Sequence, residues 1–147
     1  MKIPASAQTL IETWRLGFVA TVSAGGKPNV SPKGTFIVVD DETIAFGEMR
    51  SPGTMANLDH QKEVEVSFVD TLTRRGVRIR GEAEILPADH ALQPRFTEIW
   101  GEDLTRMFNA IVLIPADKVT PFATPAYETG ATEAELKATW QAKIASL

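Results

Sequence analysis

The sequence predicts a mostly β domain, a small antiparallel barrel with peripheral helices. Several short stretches alternate apolar and polar residues and are joined by hairpin-length turns, while helical spacing is confined to the two ends and two insertions. Regular strand–helix alternation is missing, and so are the GxGxxG and P-loop patterns, which argues against a parallel sheet with Rossmann or P-loop nucleotide binding.

Each element has its own signal. Ala7, Leu10, Ile11 and Trp14 recur at helical spacing after Ser6, predicting a helix over 7–16 that Gly17 closes in a left-handed conformation. A strand over 18–24 ends in the turn dipeptide Gly25-Gly26, and a second strand over 29–39 completes a hairpin. After an acidic turn, Ile44 and Phe46 alternate with Thr43, Ala45 and Gly47 in a third strand over 43–49, and a short helix follows over 52–60.

Val64, Val66 and Phe68 alternate with Glu63, Glu65 and Ser67 in a half-buried strand over 63–70. The stretch 76–86 places Val77, Ile79, Gly81, Ala83 and Ile85 on one face and Arg78, Arg80, Glu82 and Glu84 on the other. Residues 89–100 read as a helix shortened or kinked by Pro94 and ended by Gly101, and 110–114 as a last core strand extended toward Phe122. The tail 133–145 is helical, with Thr132 and Glu135 forming a capping box and Leu136, Trp140 and Ile144 one apolar stripe.

A chain of 147 residues, 44% hydrophobic, is long enough to bury roughly two-thirds of its unfolded surface in one domain. Cysteine is absent and only His60 and His90 are present, so no metal site is expected. No signal-peptide core or membrane span is legible, and the expected location is the cytoplasm. A net charge of −4 argues against nucleic-acid binding, and Arg74, Arg75, Arg78 and Arg80 are expected to pair with acidic neighbours across strands.

Local positive charge therefore needs a local purpose, and residues 29–58 suggest one. Ser51 is a good N-cap and Pro52 suits the first helical position, so the free N–H groups that follow would favour an anion. Thr54 adds a hydroxyl, Asn57 shares its helical face, and Lys33 is a cation on a neighbouring strand. This combination points to a phosphorylated cofactor.

The ordered set SPKG, DDETIAFGE, SPGTMANL, VEVSFVD and RGVRIRGEAEI resembles the pyridoxamine 5′-phosphate oxidase-like, FMN-binding split-barrel superfamily, over roughly residues 10–114. The resemblance implies a six-stranded antiparallel split β-barrel with flanking helices, acting as a homodimer with two FMN sites at the subunit interface. It assigns Ser31, Pro32 and Lys33 to the flavin ring and ribityl chain, and Phe46, Gly47 and Met49 to the adjoining strand end. Ser51, Thr54 and Asn57 would form the phosphate turn, with Arg50 adding charge, and Arg75 would approach the isoalloxazine edge. The chain is short for a pyridoxamine phosphate oxidase and has no match to the C-terminal arginine-containing segment, so vitamin B6 oxidation is not implied.

What the resemblance implies is an FMN-dependent oxidoreductase with NADH or NADPH as donor and a small organic acceptor, with no catalytic acid or base demanded. Two alternatives stay open, an F420-dependent reductase of the same fold and a non-catalytic flavin carrier. The apolar faces of the first and last helices add a physical case for a homodimer.

Overall fold

A computed structural model describes residues 1–147. Its strands are β1 (Gly17–Val22), β2 (Pro28–Lys33), β3 (Phe36–Asp40), β4 (Thr43–Glu48), β5 (Glu63–Val69), β6 (Arg75–Glu82), β7 (Glu84–Pro87), β8 (Ala110–Pro115) and β9 (Lys118–Ala123). The helices are α1 (Ala5–Trp14), α2 (Pro52–His60), α3 (Gln93–Trp100), α4 (Glu102–Thr105) and α5 (Glu133–Ala145), with a 3-10 turn at Pro125–Thr129. No helix is long and apolar enough to cross a membrane.

The strands form two antiparallel sheets, one ordered β2-β1-β5-β6-β9 and the other β3-β4-β8-β7. The six continuous strands expected from the sequence are thus nine, and neither sheet closes on itself. Three expected strands each divide at a corner and change sheet: 29–39 at Gly34-Thr35, 76–86 at Ala83, and the stretch beyond 110 at Ala116-Asp117. At Ala83 the alternation of Val77, Ile79, Gly81, Ala83 and Ile85 continues across the corner, so periodicity alone cannot mark it.

Between the sheets lies the main core, where Phe36 meets Phe46 and Phe68 at ring-centroid distances of 5.2 and 4.8 Å. Tilted and edge-on aromatic pairs of this kind add about 0.5–1.5 kcal/mol beyond area burial. The second sheet is covered on its other face too. There Ile37, Ala45 and Ile111 pack against Phe96 of α3 and Phe108, so β4 is buried on both sides and its small residues face protein, not water.

Helix α1 buries Ala7 and Ile11 in the main core, with Leu10 packed against it, and its apolar face is therefore not spare. Arg15, not Gly17, takes the left-handed position at its end, with φ 54°. Arg15 is held there by a 3.0 Å hydrogen bond to the Phe36 carbonyl and by the Trp100 ring. Gly17 is needed for space: a Cβ would stand 2.5 Å from the Phe36 ring and 2.7 Å from that of Phe68. Pro94 lies in the first turn of α3 and starts that helix at Gln93, where a missing N–H is harmless, instead of kinking a longer one.

The C-terminal segment is fastened from outside. Arg74 lies 3.6 Å from the Trp140 ring centroid, Arg75 pairs with Glu133 at 3.0 Å and stacks on Tyr127, and the Tyr127 hydroxyl donates to the Thr73 carbonyl. Arg78 and Arg80 pair across the strand with Glu65, as expected, whereas Arg74 uses an aromatic face. The capping box of Thr132 and Glu135 forms, and α5 buries no residue.

Candidate functional site

Strand β2 alternates about its register with β1, where Lys33 faces Gly17, Pro32 faces Phe18 and Ser31 faces Val19. Ser31 and Lys33 therefore share the inner face, and the Lys33 Nζ donates to the Ser31 Oγ at 2.7 Å. Pro32 lies on the outer face and is exposed. Further along β1, at the residue paired with Asn29, α2 packs on the strand through a 2.9 Å hydrogen bond from the Asn57 Nδ2 to the Thr21 Oγ1.

The start of α2 keeps its donors free. Helical bonding begins with the Met55 N–H reaching the Ser51 carbonyl, leaving the N–H groups of Gly53 and Thr54 without a backbone acceptor. Thr54 is only 2% exposed, and its hydroxyl has no hydrogen-bond partner. An unpaired buried hydroxyl costs about 1–3 kcal/mol, so this position calls for an acceptor.

Ser51 does not cap α2. Its N–H and hydroxyl both donate to the Oε1 of Glu48, at 2.6 and 2.9 Å. Glu48 ends β4 and is buried, and sequence reasoning missed it because a single acid at a strand end resembles a solvated residue. The only available signal was its place three residues before Ser51. Burial pulls the Lys33 ammonium below the usual lysine range, and the Glu48 carboxylate opposes that shift.

Lys33 and Ser31 are thus joined on β2, Thr54 and Asn57 are buried in α2, and Glu48 is bonded to Ser51 and acts on Lys33 by its charge, while the other expected site residues are placed differently. Phe46 is fully buried in the main core. Gly47 has its N–H and C=O both bonded to the Thr35 Oγ1, and a Cβ on it would run into the Phe108 ring. Met49 is half-buried, and its carbonyl accepts from the Asn109 Nδ2, whereas Arg50 is exposed. Arg75 stands three strands from β2, about 14 Å at the usual inter-strand spacing, engaged by Glu133 and Tyr127.

The donor set suits the terminal phosphate of a cofactor: two free N–H groups, an enclosed unpaired hydroxyl and a lysine bonded to a neutral partner. The charge of Glu48, which helps keep Lys33 protonated, opposes an anion there. No cluster of three His, Asp or Glu side chains is placed to hold a metal ion.

A family model described as Pyridoxamine 5′-phosphate oxidase matches residues 3–119, and the chain belongs to that family. Among solved structures, HupZ from Group A Streptococcus is 28% identical with a TM-score of 0.72, over 83% of this chain and 95% of that one. An FMN-binding protein from Syntrophomonas wolfei subsp. wolfei is 17% identical with a TM-score of 0.69, over 80% of this chain and 84% of that one. An F420 reductase is 20% identical with a TM-score of 0.65, over 80% of this chain and 98% of that one. The last two likenesses establish the fold. No curated protein sequence matches the chain.

Proposed function

We propose that this protein binds FMN with its phosphate at the start of α2 and serves as a cytoplasmic oxidoreductase, moving electrons from a reduced nicotinamide to a small organic acceptor. The observation that carries the reading is the enclosed hydroxyl of Thr54, unpaired in the same helical turn as two N–H groups that lack acceptors. FMN would supply the hydride and electron chemistry. The chain's own part is to bind and orient: Thr54 and the Gly53 and Thr54 N–H groups hold the phosphate, Lys33 offsets its charge, and the Asn57–Thr21 bond fixes α2 on the sheet.

In this reading the two sheets are halves of a split barrel linked by the three corner segments, and two copies form a C2 dimer. Phe18, 42% exposed, and Val30, 63% exposed, lie on the outer face of the adjacent strands β1 and β2 and offer an apolar surface for it. The likeness to an F420 reductase favours a second reading, deazaflavin binding at the same place. The visible absorbance spectrum of the purified protein, followed by titration with FMN and with F420, separates the two. A protein that takes up neither would end both readings, while FMN binding without turnover on NADH or NADPH would make it a carrier.

A further inference from the structure

We propose that Glu48 sets how tightly this cradle takes a phosphate, because its carboxylate already occupies, from inside the fold, donors that an incoming anion would use. The inference rests on the reading of α2 as a phosphate site. Glu48 is 3% exposed, and no lysine, arginine or histidine stands within ion-pair distance of it. A buried carboxylate without a direct cation persists only where hydrogen bonds satisfy it. Here they come from the Ser51 N–H at 2.6 Å and the Ser51 hydroxyl at 2.9 Å, at the positive end of the α2 dipole.

The same helix end that stabilises Glu48 would attract a phosphate. Two anions cannot both be served: either Glu48 releases Ser51, or the phosphate binds beside an uncompensated negative charge in a poorly solvated place. Lys33 is shared between them, since the charge of Glu48 helps keep the Lys33 amine protonated. Glu48 therefore weakens phosphate binding and makes the cofactor readily exchangeable, while leaving contacts to the ring untouched.

Glu48→Gln keeps the shape and a carbonyl acceptor for Ser51 while replacing the charge with a neutral amide, and Glu48→Ala removes the charge without adding an N–H donor. Dissociation constants for FMN and for riboflavin, which lacks the phosphate, are measured by quenching of flavin fluorescence on wild type and variant, with a thermal melt confirming that the variant is folded. Glu48→Ala serves as a second variant. The inference predicts that Glu48→Gln tightens FMN binding by about ten- to a hundredfold, the scale of one charge-assisted hydrogen bond, with riboflavin unchanged. A variant that gains FMN affinity where the wild type shows none supports the inference and counts against FMN as the natural cofactor. Equal or weaker FMN binding by the variant, beside measurable binding by wild type, overturns the role of Glu48 and leaves the FMN reading standing. No FMN binding by either protein overturns both.

Discussion

The carboxylate of Glu48 accepts both the N–H and the hydroxyl of Ser51, so the serine best suited by sequence to cap α2 is turned back toward β4 instead. One side chain thereby joins the end of a buried strand to the start of the helix that follows. It also leaves the next N–H groups of α2 without an intramolecular acceptor.

Thr54→Val removes the unpaired hydroxyl while keeping its volume. The cofactor-free variant should be more stable than wild type by about 0.5–2 kcal/mol in urea unfolding, because a buried polar group without a partner is replaced by a methyl. The same change should weaken FMN. A clear loss of stability would mean that Thr54 has a partner in solution.

Gly47→Ala tests how closely the second sheet is packed. The added methyl meets the Phe108 ring, which is itself buried and packed edge-on against Phe96 at a centroid distance of 5.3 Å, so the ring has little room to yield. A loss of about 1–3 kcal/mol is expected, with Phe108→Leu recovering part of it in the double variant. If the single change is neutral, the close approach does not exist.

Asp70 holds the turn between β5 and β6. Burial raises its carboxyl, and the N–H groups of Thr73 and Leu72, with smaller help from the side chains of Thr73 and Trp14, reverse this and leave it below the usual aspartate range. A depressed pKa adds stability that is present above the unfolded-state value and lost as pH falls through the folded one. Asp70→Asn should therefore destabilise the protein near neutral pH by about 1–2 kcal/mol, and the gap to wild type should close as the medium becomes acidic. Urea midpoints at a series of pH values read this, and a gap that stays constant into acid would contradict it.

How much was legible in the sequence depends on whether a residue's role is local. The capping box of Thr132 and Glu135, the alternation of Val64, Val66 and Phe68, and the helix after Pro52 follow from near neighbours, and all three occur as read. The corner at Ala83 was not legible, because the apolar pattern runs through it while hydrogen-bonding partners change. Arg15 takes a left-handed backbone through contacts with Phe36 and Trp100, 21 and 85 positions away, that spacing does not reveal. Lys33, Thr54 and Asn57 stand out by residue type and spacing, and the structure places Lys33 buried at the end of β2 and Thr54 and Asn57 buried in α2. The part played by Glu48 was missed, since only the fold shows that this acid is buried and bonded to Ser51.

The central claim is that the first turns of α2 hold a flavin's phosphate, and the most direct test is the FMN dissociation constant of Thr54→Ala/Asn57→Ala beside that of wild type. Circular dichroism serves as the check on folding. With the hydroxyl and the amide that docks α2 both gone, FMN binding should weaken at least about tenfold while riboflavin binding holds. Undiminished FMN binding in a folded double variant would contradict the account.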